Sequence, residues 1–102
     1  TVSEIGKAQE LGCDLTKLFP GDVYGPAFVK GVMAPCPWSK IMVTGGVAPT
    51  QENLSAWVAS GVYCVGMGSK LFPKDRIQAS DWKFISDKCT EALGYICDAR
   101  KK

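Results

Sequence analysis

Apolar and polar positions along this chain switch in turn between a helical rhythm and an extended one. Ile5, Ala8 and Leu11 recur at helical spacing behind Thr1 and Glu4, which have the form of a capping box, and Gly12 ends that helix. A short apolar run follows, Cys13-Asp14-Leu15-Thr16-Lys17-Leu18-Phe19, closed as a strand by Pro20-Gly21-Asp22. Gly25-Pro26 opens a second helix with Phe28, Val29, Val32 and Met33 on one face, and Pro35-Cys36-Pro37 stops it. Lys40 to Thr44 reads as a second strand with Gly45-Gly46 directly behind it. Thr50 caps a third helix that places Leu54, Trp57 and Val58 together and ends at Gly61. Val62 to Met67 is a third strand running into Gly68-Ser69. After a loop with Pro73, Ser80 or Asp81 caps a last helix whose stripe is Trp82, Ile85, Cys89, Ala92, Leu93 and Ile96.

The order αβαβαβα, with a helix after each strand, is the pattern of an α/β fold with a parallel sheet and crossover helices. Lys17 to Thr44 is a step of 27 residues and Thr44 to Ser69 one of 25. Those steps fit the βα units of a TIM barrel, which closes at eight strands and roughly 250 residues. Each landmark also falls at the C-terminal end of its strand, where such folds bind ligands.

Composition narrows the function classes. A chain of 102 residues suffices for one small domain but is short for a fold with an enclosed cleft. Twelve Lys and Arg against ten Asp and Glu leave a net charge of +2, scattered except for Arg100-Lys101-Lys102, which reads as a solvated, frayed end. No basic stripe with interleaved aromatics marks a nucleic-acid partner. No apolar run is long enough for a bilayer, and the N-terminus lacks a basic-then-apolar signal. The absence of histidine closes Ser-His and Cys-His nucleophile systems and imidazole metal sites within this chain. Five widely spaced cysteines, Cys13, Cys36, Cys64, Cys89 and Cys97, lack a Cys-x-x-Cys pair and read as reduced core thiols of a cytoplasmic protein. Trp57 and Trp82 read as core residues, and Trp38, in a loop, as a cover for the bottom of the barrel or a subunit contact.

Lys17 is the residue that calls for chemistry. A lysine attacks a carbonyl only as the free amine, and burial on a strand favours that form. Strand alternation puts Leu15, Lys17 and Phe19 on one face. The same residues also fit an ordinary strand-end lysine whose ammonium reaches solvent, Asp14 or Asp22. Gly45-Gly46 and Gly66-x-Gly68-Ser69 allow backbone N–H groups to approach an anion, although glycine after a strand also serves simple turns. Two such turns after consecutive strands have the spacing of a barrel phosphate site.

Lys17-Leu18-Phe19-Pro20, Val43-Thr44-Gly45-Gly46-Val47 and Val65-Gly66-Met67-Gly68-Ser69 together resemble the C-terminal half of the 2-keto-3-deoxy-6-phosphogluconate (KDPG) aldolase family, including its bifunctional 4-hydroxy-2-oxoglutarate aldolases. Thr1-Val2-Ser3-Glu4 resembles that family's Thr-Pro-x-Glu segment, and Val43 stands where the family often has proline. The resemblance implies a (β/α)8 barrel of which residues 1–102 supply the last three βα units and the helix before them. It implies Lys17 as the Schiff-base nucleophile, Phe19 and Thr44 as substrate contacts, and Gly45, Gly46, Gly68 and Ser69 as the phosphate site. The substrate would be a phosphorylated sugar acid, with no metal or other cofactor, no nucleic-acid or membrane partner, and a homotrimer as the assembly.

The family's glutamate acid/base and its carboxylate-binding arginine come from early strands, for which this chain has no counterpart. The expectation is therefore an inactive piece of a longer aldolase that requires the N-terminal half of its barrel. Glu4 and Glu10 sit on the first helix, outside the expected barrel, and are not expected to replace the base. Two further classes stay open: a sugar-phosphate binding module without catalysis, and a half-barrel scaffold that assembles with copies of itself.

Overall fold

The computed structural model describes residues 1–101 and contains three strands and five helices in the order α1 (Val2–Glu10), β1 (Thr16–Leu18), α2 (Gly21–Met33), β2 (Ile41–Thr44), α3 (Gln51–Ser60), β3 (Cys64–Gly66), α4 (Lys74–Gln78) and α5 (Trp82–Arg100). The strands form one parallel sheet in the order β1-β2-β3. Right-handed crossovers between successive parallel strands, all stepping in one direction, put every connecting helix on the same face. The burial pattern records that sidedness. Leu18, Ile41 and Val43 point into a core completed by Val29 and Val32 of α2, Leu54 and Trp57 of α3 and Ala92 of α5. The other face carries Lys17, Met42, Thr44 and Cys64, none of them buried. Parallel strands with one covered face and two free edges match the expected α/β architecture, and the sheet is open at both sides.

Local signals place most of the boundaries. The Thr1–Glu4 capping box forms, Thr50 Oγ1 accepts from Asn53 N–H, and Gly61 ends α3 in the left-handed conformation at φ 102°. Other boundaries move for physical reasons. α2 begins at Gly21 rather than at Gly25-Pro26, because a short first turn precedes a kink in which Gly25 adopts φ 76°. The strands are shorter than their apolar runs, since the Cys13 and Gly12 N–H groups turn back onto Ala8 and Gln9 carbonyls and leave Leu11 exposed. α4 occupies the segment read as a loop; it spans five residues and buries none, so no apolar rhythm announced it. Asp81, not Ser80, caps α5 by accepting from Phe84 N–H.

Three packing expectations are corrected. Trp82 is 60% exposed and Leu93 67%: α5 packs on α3, and its residues in or against the core are Ala92, Tyr95 and Ile96, so Trp82, in the first turn, and Leu93 lie off that face. Trp57 is buried as expected. All five cysteines are free, but Cys13 and Cys97 are exposed, and of the half-buried Cys36, Cys64 and Cys89 it is Cys36 that packs against the core, so core thiol describes Cys36 alone. Arg100 is not a frayed end: it closes α5, and its guanidinium donates to the Tyr63 carbonyl beside β3. Lys102 lies outside the described residues. No helix among the described residues is long and apolar enough to cross a membrane.

The packing difference within α3 and α5 is measurable. Leu54, fully buried, loses about 3 kcal/mol of stability on conversion to Ala, whereas Leu93→Ala changes it by roughly 0.5 kcal/mol or less. Urea unfolding of the two variants beside the parent chain reads both values.

Candidate active site

Register defines the candidate site. Lys17 pairs with Met42 and Met42 with Cys64, so these three form one row across the uncovered face; Thr44 and Gly66 form the next row toward the strand ends. Parallel partners share a face, and adjacent strands are roughly 4.8 Å apart. Lys17 is exposed, and its Nζ lies 5.5 Å from the centroid of the Phe19 ring, which places the two side chains on the same side as alternation requires. Among the described residues neither Asp14 nor Asp22 forms an ion pair with it. Burial of this amine is therefore not supplied by these three strands, whose open face lies toward solvent.

A pocket of about 270 Å³ at the free edge of β1 is lined by Lys17, Phe19, Tyr24, Thr1 and Glu4 among others. Glu4, in the first turn of α1, thus shares a pocket with Lys17. Its carboxylate is held 2.8 Å from the Thr1 amine in the capping box, which occupies it as a helix cap.

Behind the strands, two turns interlock. Gly45 and Gly46 have φ 88° and 71°, a region that costs a side-chain-bearing residue about 1–2 kcal/mol. A methyl at Gly46 would lie 2.7 Å from Asp22 Cα, and one at Gly45 3.3 Å from Pro20 Cα. From the other side, a methyl at Gly21 would overlap the Gly45 carbonyl oxygen. The turn after Lys17's strand and the turn after Thr44 are therefore in backbone contact. Gly66 leaves room for the Thr44 hydroxyl, which a methyl there would meet at 2.8 Å.

The expected glycine-to-helix geometry differs in detail. α3 starts at Gln51, separated from Gly46 by Val47-Ala48-Pro49-Thr50, so the turn does not run straight into the helix. Gly68 is followed by a tight turn in which its carbonyl accepts from Leu71 and Phe72 N–H groups. Among the described residues, the N–H groups of Gly45, Gly46, Gly68 and Ser69 donate to no protein acceptor. Lys17, Phe19, Thr44, Gly45, Gly46, Gly68 and Ser69 all sit at the C-terminal end of the sheet. Asn53 was not among the expected residues, yet its side chain holds the Gly46–Ala48 loop at both ends: Nδ2 donates to Gly46 O at 3.0 Å and Oδ1 accepts from Ala48 N–H at 2.8 Å. An asparagine three residues after a capping Thr was its available signal.

Residues 1–88 match the profile of the KDPG and KHG aldolases. The chain belongs to that family. It is 36% identical over 73 residues to the 2-dehydro-3-deoxy-6-phosphogalactonate aldolase of Escherichia coli K12, covering 71% of this chain and 35% of that protein. It is 32% identical over 96 residues to the 2-dehydro-3-deoxy-phosphogluconate aldolase of Pseudoalteromonas atlantica, covering 91% of this chain and 43% of that protein. Among solved structures, a native KDPGal structure superposes with a TM-score of 0.84 at 25% identity, over 100% of this chain and 47% of that one. This KDPG/KHG-family chain thus spans less than half the length of those relatives, and its α/β fold with parallel strands is the fold of the matching portion.

The interlock separates the glycines by their structural demand. Gly46→Ala combines a positive φ with a backbone clash and costs more than about 2 kcal/mol, whereas Gly68→Ala meets open space and stays within roughly 0.5 kcal/mol. Thermal unfolding followed by circular dichroism compares the two.

Proposed function

We propose that the protein of which residues 1–102 form the C-terminal part is a class I aldolase with a (β/α)8 barrel. It cleaves 2-keto-3-deoxy-6-phosphogluconate to pyruvate and glyceraldehyde 3-phosphate, and it also takes 4-hydroxy-2-oxoglutarate, giving pyruvate and glyoxylate. The observation that carries the reading is the placement of Lys17, Phe19 and Thr44 on the sheet face that no helix covers, at the strand ends where two glycine turns keep free N–H donors. Family membership supports the lyase chemistry.

In this reading the Lys17 amine attacks the 2-oxo carbon and water departs, leaving a protonated imine. The imine accepts the electron pair of the breaking carbon–carbon bond, which releases the aldehyde and leaves an enamine of pyruvate. Protonation and hydrolysis of the enamine return pyruvate and the free amine. Phe19 lines the pyruvate pocket, Thr44 binds substrate oxygens through its hydroxyl, and Gly45, Gly46, Gly68 and Ser69 bind the phosphate, mainly through backbone N–H groups. No metal takes part. The acid/base comes from the N-terminal half of the barrel, whose strands pair with the two free edges and close over Lys17. A cytoplasmic homotrimer is the proposed working form.

One observation favours a second reading, a sugar-phosphate binding module in which Lys17 serves as a charge: its ammonium is exposed and stacked over Phe19. The two readings part on covalent chemistry. Borohydride added with pyruvate places one reduced pyruvyl group on Lys17 of the longer protein, seen by peptide mass spectrometry. The binding-module reading gives no adduct, and an adduct that persists in Lys17→Ala removes Lys17 from its role.

The proposed division of labour gives a second expected outcome. The 102-residue chain alone releases pyruvate from the phosphorylated sugar acid at a rate at least about a hundredfold below that of the longer protein, as fits loss of a general acid/base. A coupled pyruvate assay on equal molar amounts measures the difference; equal rates would place the base within this chain.

A further inference from the structure

The carbonyls of the Gly45–Gly46 turn are held against protein, and the causes are identifiable. A backbone turn carries carbonyl oxygens as well as N–H groups, and an oxygen facing an anion repels it. Here both carbonyls are engaged against protein. Gly45 O lies against Gly21, so closely that a methyl on Gly21 would overlap it. Gly46 O accepts from Asn53 Nδ2 at 3.0 Å and from the Trp57 indole N–H at 3.4 Å. The Gly45 and Gly46 N–H groups are left without a protein acceptor among the described residues.

We infer that Asn53 is a positioning residue that fixes the polarity of this turn, holding the Gly46 carbonyl toward α3 and so away from an anion bound at the turn's N–H groups. The inference rests on the phosphate-binding reading of the turn and goes beyond it by naming the side chain that sets its sign. The chemistry requires an amide. Gly46 supplies an acceptor and Ala48 a donor, and one asparagine side chain satisfies both in a single orientation. Aspartate would keep the bond from Ala48 but set a carboxylate oxygen against Gly46 O. Alanine would release both ends of the loop. The Asn53 backbone N–H donates to Thr50 Oγ1 at 3.2 Å, which anchors the first turn of α3 from which the side chain reaches the loop.

Titration of the isotope-labelled 102-residue chain with inorganic phosphate, followed through its backbone amide resonances, tests this. Phosphate shifts Gly45 and Gly46 in the parent chain. Asn53→Ala and Asn53→Asp each weaken the binding by about tenfold or more, a change of about 1.4 kcal/mol, while the α3 and α5 resonances stay in place. Trp57→Phe keeps a ring in the core but loses the longer bond to Gly46 O, and weakens binding by a smaller factor of about two to three. Reduction with pyruvate and borohydride, on the longer protein carrying the same substitutions, serves as the phosphate-independent reading: the yield at Lys17 is the same in parent and variants.

Unchanged phosphate affinity in Asn53→Ala overturns the inference and leaves the phosphate reading standing. Weakening in Asn53→Asp alone also overturns it, since added negative charge then accounts for the loss. An equal fall in phosphate affinity and Lys17 labelling overturns it as well, because the residue then acts only on the fold. Should Asn53 variants fail to fold, Trp57→Phe decides, and unchanged binding there counts against the inference. Absence of any shift at Gly45 and Gly46 in the parent chain removes the phosphate reading itself.

Discussion

Everything in this molecule follows from the one-directional stacking of parallel strands. With β1, β2 and β3 side by side in sequence order, right-handed crossovers leave α2 and α3 no choice of face, and α5 joins them through its contact with α3. Ile41 and Val43 are thereby sealed, while their neighbours Met42 and Thr44 look the other way. Lys17 and Thr44 occupy the uncovered face because the covered one is taken up by the core. Stability and candidate site are divided between alternate residues of the same short strands.

The strand ends then meet through backbone rather than side chains. Gly21, Gly45 and Gly46 bring the turn behind Lys17 against the turn behind Thr44 at distances that leave no room for a Cβ. In an aldolase of the proposed kind, the nucleophile must lie at a fixed reach from the group that holds the far end of the substrate, because misplacement of reacting atoms by as little as 1 Å is costly. A backbone-to-backbone contact has fewer rotatable bonds than one between side chains, and it sets that reach without relying on rotamers. The glycines serve this joint whether or not an anion is bound.

Much of this was legible in the sequence because it depends on local rules. The Thr1–Glu4 box, the Thr50 cap, the Gly61 stop and the three parallel strands are written in neighbouring residues. The motifs around Lys17, Thr44 and Gly68 located the C-terminal ends of the three strands. What was not legible depends on distant partners. Trp82 and Leu93 keep the helical rhythm of α5 but lie where α3 does not reach. α4 has no rhythm to read, since it buries nothing. Asn53 looks like an ordinary polar residue of a first helical turn until the loop before α3 folds back over it. The exposure of Lys17 is likewise a property of the strands beside it and not of its own.

The joint between the two turns also bears on which changes it can absorb. Where each side of a contact is already without a Cβ, neither side has slack to absorb a change in the other. A side chain introduced in Pro20-Gly21-Asp22 or in Gly45-Gly46 has to displace backbone on the other side, and at Gly46 the contact with Asp22 Cα adds to a positive φ. The two loops, 24 positions apart from Gly21 to Gly45, are mechanically a single joint.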